Sequence, residues 1–251
     1  DPERAVDLTS TAIGLNPLDG SLRLLRGQAE IQAARSTSDP SNGRDLMERA
    51  RTDLETAARL MPASAAPLYP LGALWKAGGN LQAAADAYRQ AITRDPHAMG
   101  AALDLADLET LLHHPAAARD ALERVAGAED TPFATIRGVP EAFDSHYAQA
   151  WAGLAHLDGE AGQWTLSATE AERALKDMDI YAKLAGQFIR LEAVMTMYSP
   201  EGRTDMKRLE GQAYGILRDD LKHLNQTSRL PEVEERHQQF IQTLDNLKDP
   251  S

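Results

Sequence analysis

Apolar residues recur along most of this chain at the three- and four-residue steps that place them on one face of a helix. In residues 65–98 two such faces follow each other. The first face comprises Leu68, Leu71, Gly72 and Trp75. The second face comprises Ala84, Tyr88, Ala91 and Ile92. A Gly-Gly-Asn turn at residues 78–80 separates them, so the segment predicts a helical hairpin, with Gly72 allowing a neighbouring helix to approach closely.

The hairpin pattern returns at a regular interval. Pro62 and Pro96 each follow a predicted helix and are 34 residues apart, and the next step of 34 reaches Asp130, beside Pro132. The interval from Pro17 to Pro62 is 45, which leaves 11 extra residues, and the polar stretch at about residues 35–45 is the predicted insertion. A fixed period of this length is typical of stacked helical hairpins that share a core.

The other units keep the same register less completely. A second-helix pattern precedes Pro17, so the chain begins in mid-repeat and is expected to be a segment of a longer protein. Residues 99–132 form a degenerate unit, because Glu109 stands where the pattern has an aromatic residue. A further unit starts at Ala148, which leaves residues 133–147 as a second predicted insertion.

The unit of residues 65–98 resembles the tetratricopeptide repeat. The family pattern has a small residue where Gly72 stands, aromatic residues at Trp75 and Tyr88, a small residue at Ala84 and a closing proline at Pro96. Because several residue types agree at one fixed period, this resemblance is specific.

The resemblance implies an all-α fold, a right-handed α-α superhelical solenoid of helical hairpins. We expect residues 1–179 to form this solenoid. Residues 180–251 carry apolar helical stripes without the repeat signature, and they are expected to form divergent C-terminal helices that cap or continue it.

Composition and charge narrow the function classes. The 251 residues include no cysteine, which excludes disulfides, Cys–zinc sites and a thiol nucleophile. No apolar run approaches the roughly 20 residues of a membrane-spanning helix. The formal net charge is −12 without an obvious basic cluster, which argues against binding to nucleic acid or to an anionic membrane. Arginine outnumbers lysine and alanine is abundant, as in many bacterial proteins.

The sequence predicts no catalytic site, cofactor or metal site. Nucleophile-elbow, Walker, dinucleotide-binding and zinc-protease patterns are all missing from the sequence. His113 and His114 are adjacent, and neighbouring residues do not share a helix face, so they are interpreted as solvated turn residues. The expected activity is therefore binding rather than catalysis.

In tetratricopeptide proteins the first helix of each repeat lines a concave groove. The resemblance gives nine partner-binding candidates, which are Tyr69, Ala73, Lys76, Leu103, Asp107, Thr110, Gln149, His156 and Glu160. Tyr69 is the expected anchor, because tyrosine is enriched among binding hot spots. The Lys, Asn and Arg clamp with which some family members bind chaperone tails is replaced here by Ala73, Gly100 and Leu103, so that function is not expected.

The second insertion contains several large apolar side chains. Phe133, Ile136, Phe143 and Tyr147 are candidates for a lid or a built-in ligand of the groove. A spacer that adjusts the superhelix is the alternative interpretation.

The resemblance therefore favours a non-enzymatic scaffold that binds a peptide or helix of a partner protein in its groove. One alternative is a soluble tail of a larger membrane protein, such as a glycan polymerase or ligase or an envelope assembly machine. Self-association of two copies through the final helix is another. The sequence leaves a cytoplasmic and a periplasmic location open.

Overall fold

The computed structural model describes residues 1–128, 145–185 and 200–247, and of residues 180, 181, 183–185, 200 and 201 it describes the backbone only. In these ranges the chain is all-α, as predicted, and it forms two compact units, residues 1–112 and 113–251. The first unit contains α1 (Pro2–Leu15), α2 (Gly20–Ser36), α3 (Pro40–Leu60), α4 (Leu68–Ala77), α5 (Leu81–Arg94) and α6 (Met99–Leu111). The second contains α7 (Pro115–Ala128), α8 (Ser145–Glu160), α9 (Trp164–Ala185), α10 (Pro200–His223) and α11 (Leu230–Asp245), with a 3-10 turn at Thr227–Arg229.

Residues 35–45, where an insertion is predicted, comprise the end of α2, a short connection at residues 37–39 and the first turns of α3. Asp39 caps α3 by accepting a hydrogen bond from the Ser41 amide at 2.9 Å, and Pro40 occupies the first turn, where its missing N–H is not needed. As a result, α2 and α3 have 17 and 21 residues, whereas α4 and α5 have 10 and 14. The extra residues lengthen a hairpin instead of forming a loop.

Small residues set the distance between the helices of the first unit. A Cβ atom at Gly27 of α2 would lie 3.0 Å from Leu54 Cγ of α3, and both Ala50 and Leu54 are fully buried. Gly27 therefore occupies the same place in its hairpin as Gly72 in the next. The contact therefore gives α2 the repeat register of α4.

The first helix of three hairpins has a buried carboxylate at the position where the repeat pattern has an aromatic residue. Each is fully buried and is paired with an arginine of a second helix. The pairs are Glu30 with Arg49, Glu109 with Arg89, and Asp158 with Arg119. At Glu109 an ion pair with Arg89 therefore connects two helices where the repeat pattern has an aromatic contact. The pairing is needed because a buried charge is stable only when it is paired.

The second unit buries the predicted stripes of its last two helices. Leu217 and Leu221 of α10 and Phe240 and Leu244 of α11 belong to one apolar core with the alanines of α8 and α9. The apolar stripes predicted in residues 180–251 include residues 184–198, whose side chains lie outside those described. The domain boundary predicted at residues 179 and 180 falls inside α9 and stays a prediction.

Candidate functional site

Tyr69, the predicted anchor, lies in the first turn of α4 and is 45% exposed. Its ring packs against the ring of Tyr88 on α5, with 5.9 Å between the ring centroids. Its hydroxyl lies beside α6, since a Cβ atom at Gly100 would be 3.6 Å from Tyr69 Oη. Tyr69 therefore spans from α4 to α6 while one side of its ring stays open to solvent.

Gly72 makes this arrangement of Tyr88 possible. A Cβ atom at Gly72 would lie 2.5 Å from Tyr88 Cε1, which is well inside van der Waals contact. The predicted close approach at Gly72 is thereby confirmed, and its partner is the Tyr88 ring. Tyr88 is fully buried between this glycine and Tyr69.

Lys76 and Asp104 connect α4 to α6 beside the two tyrosines. Lys76 Nζ lies 3.0 Å from Asp104 Oδ1, and both side chains remain about a quarter to a third exposed. Burial, the negative charge of Asp104 and a hydrogen bond donated to it raise the pKa of Tyr69. We call Tyr69, Lys76, Tyr88, Gly100 and Asp104 the Tyr69 site.

The Tyr88 hydroxyl has no hydrogen-bond partner, although it is buried. Burial and the charge of Asp104 raise its pKa, followed by smaller effects of Tyr69 and Asp107. Because a buried polar group is normally paired, this hydroxyl is an exception that marks the Tyr69 site.

The other candidates of the first unit lie on the same helices. Ala73, Asp107 and Thr110 are exposed and Leu103 is half-buried. The Thr110 hydroxyl donates to the Ala106 carbonyl at 2.9 Å, within its own helix. Asp107 is near enough to Tyr88 for its charge to raise the pKa of that hydroxyl.

The candidates of the second unit, Gln149, His156 and Glu160, are exposed on α8. They remain a separate predicted set. Of the predicted lid, Phe133, Ile136 and Phe143 lie outside the described residues. Tyr147 does not lie in a loop, because α8 already begins at Ser145, and its side chain is buried. The insertion predicted at residues 133–147 stays a prediction.

Asp104 and the Tyr88 hydroxyl are the functional groups that the sequence reasoning missed. Helical spacing places Tyr88 on an apolar face, which describes its ring correctly but carries no information about its hydroxyl oxygen. Asp104 lies next to Leu103 in sequence. The whole of α5 separates Asp104 from Lys76 along the chain, so sequence spacing does not pair them. Only one signal was present, an aspartate one turn after the small residue Gly100.

A cleft of about 480 Å³ opens between α3 and α5 in the same unit. Leu68, Leu71 and Trp75 of α4 line it together with Glu55 and Asp86 from its two walls. The Trp75 side chain is half-buried and packs against the apolar core of the first unit.

The Arg51 guanidinium lies 4.7 Å from the centre of the Trp75 ring. Arg51 also pairs with Glu55 at 2.8 Å. Arg51 and Glu55 are thus paired with each other, in contrast to the unpaired Tyr88 hydroxyl of the Tyr69 site.

The described residues show two further properties that bear on function. No three of their His, Asp or Glu side chains are placed to share a metal ion. None of the helices in the described ranges combines the length and the apolar character needed to cross a bilayer.

Comparisons with known proteins rest on structure. Neither a family model nor a curated protein matches this sequence. A crystal structure of MamA is similar with a TM-score of 0.57 and 18% identity, covering 73% of this chain and 92% of that one. BtubC (BKLC) from P. vanneervenii is similar with a TM-score of 0.61 and 13% identity, covering 100% of this chain and 92% of that one.

A tetratricopeptide repeat protein from Parabacteroides merdae is similar with a TM-score of 0.52 and 13% identity, covering 98% of this chain and 93% of that one. Similarity at this level of identity concerns the fold. This chain therefore has the all-α helical-repeat fold of tetratricopeptide repeat proteins.

Proposed function

We propose that this protein is a non-enzymatic interaction scaffold and that its Tyr69 site binds a peptide or helix of a partner protein. The observation that carries the proposal is Tyr69 itself, a large aromatic side chain that is 45% exposed yet packed against Tyr88. Such a side chain loses little conformational freedom when a partner covers it, because the fold already orients it.

The neighbouring charges support an oriented complex. The Lys76–Asp104 pair lies at the edge of the aromatic surface and is partly solvated. Charges at the rim of an interface contribute more to orientation and selectivity than to affinity. Tyr69 would supply the affinity, and this pair would set the direction in which the partner segment runs.

The test is a selection of binding peptides from a random displayed library, with the whole chain as the target. Affinities of the selected peptides are then measured by fluorescence anisotropy against the wild type and against Tyr69→Ala. We expect Tyr69→Ala to weaken binding by at least about tenfold, which corresponds to about 1.4 kcal/mol.

Leu166→Ala is the matched control, because Leu166 is a similarly exposed apolar side chain at 44% and belongs to the second unit. It should leave the affinity unchanged. Peptides that bind wild type and Tyr69→Ala equally would contradict the proposal. In that case, a loss of affinity in Trp75→Ala would show that the peptides use the cleft between α3 and α5. A loss in Glu160→Ala would show that they use the candidates on α8.

A further inference from the structure

The Tyr88 hydroxyl is a polar group that the fold of the first unit does not use. The side chain is fully buried, and its oxygen has no hydrogen-bond partner. Phenylalanine would fill the same space against Gly72 without the cost of an unpaired buried hydroxyl. The hydroxyl is therefore best explained by a group that reaches it when the site is occupied.

Tyr69 is the aromatic neighbour of Tyr88, and it lies near enough to raise the pKa of this hydroxyl. Its ring packs against Tyr88, and its own hydroxyl lies beside Gly100 and donates a hydrogen bond to Asp104. Nearly half of Tyr69 is exposed, so an outward turn of its ring would take it into solvent. The partner group proposed below would reach Tyr88 Oη after such a turn.

The charges around the two hydroxyls select the kind of group. Asp104 acts on both tyrosines, and the charge of Asp107 also reaches Tyr88. A hydroxyl oxygen close to carboxylates is a good acceptor for a cationic donor, and a tyrosine ring adds attraction to a cation above its face. An anionic group in the same place would be repelled.

Lys76 shows that this place accepts a cation. Its ammonium already contacts Asp104 at 3.0 Å, but both side chains are partly exposed, and ion pairs of this kind contribute little to stability. An incoming guanidinium has more donors than an ammonium, and its planar fork matches a carboxylate. Replacing Lys76 by a partner's cation at Asp104 therefore costs little free energy.

We propose that the Tyr69 site receives a basic side chain of the partner, arginine or lysine, which pairs with Asp104 in place of Lys76 and donates a hydrogen bond to Tyr88 Oη. This inference rests on the proposed binding function. It adds to that function the chemical class of the anchor residue and the two groups that recognise it.

The experiment uses the peptides selected on the whole chain. The pool should be enriched in Arg or Lys, and replacement of that residue by its neutral isostere, citrulline or acetyl-lysine, should weaken binding about tenfold. Asp104→Asn should cause a similar loss. Because both changes remove one interaction, their effects should not add, which a double-mutant cycle measures.

Two further variants separate recognition from folding. Lys76→Gln frees Asp104 and should tighten binding, whereas Lys207→Gln, which removes a surface lysine paired with Asp245 in the second unit, should not. Tyr88→Phe should weaken binding severalfold while the protein stays folded, as its circular dichroism and melting curve will show.

The possible failures are distinguishable. Peptides that depend on Tyr69 but lack a basic residue would leave the proposed function standing and overturn this inference. Additive effects of Asp104→Asn and the neutral isostere would also overturn it. Unchanged binding to Tyr88→Phe would remove the role of the hydroxyl. Peptides that do not depend on Tyr69 at all would overturn the proposed function itself.

Discussion

At the residue scale, the ring and the hydroxyl of Tyr88 have different surroundings. The ring fills the space that Gly72 leaves open on α4, and it lies under Tyr69. The oxygen is buried in the same place without a partner. One side chain thus stabilises the hairpin through its apolar part and carries an unpaired polar group at its end.

Gly72→Leu should destabilise the first unit by about 1–3 kcal/mol, because a larger side chain overpacks the contact with Tyr88. Gly14→Leu is the control in the same unit, since Gly14 is exposed and a Cβ atom there would meet nothing within 4 Å. Urea denaturation followed by circular dichroism measures both. An equal effect of the two substitutions would show that the Gly72 contact is not tight.

Tyr88→Phe should leave the free energy of unfolding unchanged or raise it by about 1–3 kcal/mol, because it removes an unpaired buried hydroxyl and keeps the ring. Tyr88→Ala should instead lower it by about 3–5 kcal/mol through the cavity it creates. Thermal and urea melts of the two variants provide the measurement. A marked loss of stability in Tyr88→Phe would mean that the hydroxyl already has a partner within the folded chain.

At the element scale, the helices of the second unit enclose carboxyl groups whose pKa values are raised. Glu210 of α10 is buried, and its Oε2 shares a hydrogen bond of 2.6 Å with His237 Nδ1 of α11. Burial raises the pKa of Glu210 to about 7. Burial, a hydrogen bond with Asp158 and its charge raise the pKa of Glu170 on α9 to about 8.

The second unit should therefore be more stable at pH 5 than at pH 9. Both folded-state pKa values lie above the ordinary value of 4.5, so this stability is full below pH 4.5 and is lost as pH rises through 7 to 8. For Glu210 alone the difference is roughly 3 kcal/mol, since each pKa unit corresponds to about 1.4 kcal/mol. Urea denaturation at a series of pH values measures it.

Glu210→Gln should flatten this pH dependence, because the amide stays neutral throughout. The control is Glu235→Gln, since Glu235 is exposed on α11. Stability that rose with pH, or a profile that Glu210→Gln left unaltered, would contradict the role of Glu210.

At the scale of the whole molecule, the described chain divides into two compact units of helical hairpins. The first has its own fully buried side chains, including Leu54, Tyr88 and Leu108. In repeat proteins, stability is approximately a sum over repeats and their nearest-neighbour contacts. A unit with a complete core of its own therefore has the means to fold alone.

A fragment of residues 1–112 should be helical and should unfold cooperatively. Circular dichroism with urea denaturation tests this, and the Gly72→Leu form of the fragment should lose the same free energy as the full chain. A fragment without a cooperative transition would show that the first unit depends on the remainder of the chain.

The sequence by itself determined the helices, the repeat period and the close approach at Gly72. These features depend on short-range rules, namely helical spacing of apolar side chains, breaking of helices at glycine and proline, and the small size of glycine. The same rules placed an insertion at about residues 35–45 without deciding whether it was helical, because a polar stretch is also compatible with a capped helix. The Asp39-Pro40-Ser41 signal was present and decided the outcome.

Only the tertiary structure decided which polar groups meet. Lys76 and Asp104 come together because α4 and α6 turn these two faces toward each other. The rotation of each helix about its axis follows from the packing of the whole unit. The burial of Glu109 and Glu210 and the unpaired Tyr88 oxygen have the same origin. Helix formation depends on residues near in sequence, whereas the partner of a buried polar atom depends on every element that packs around it.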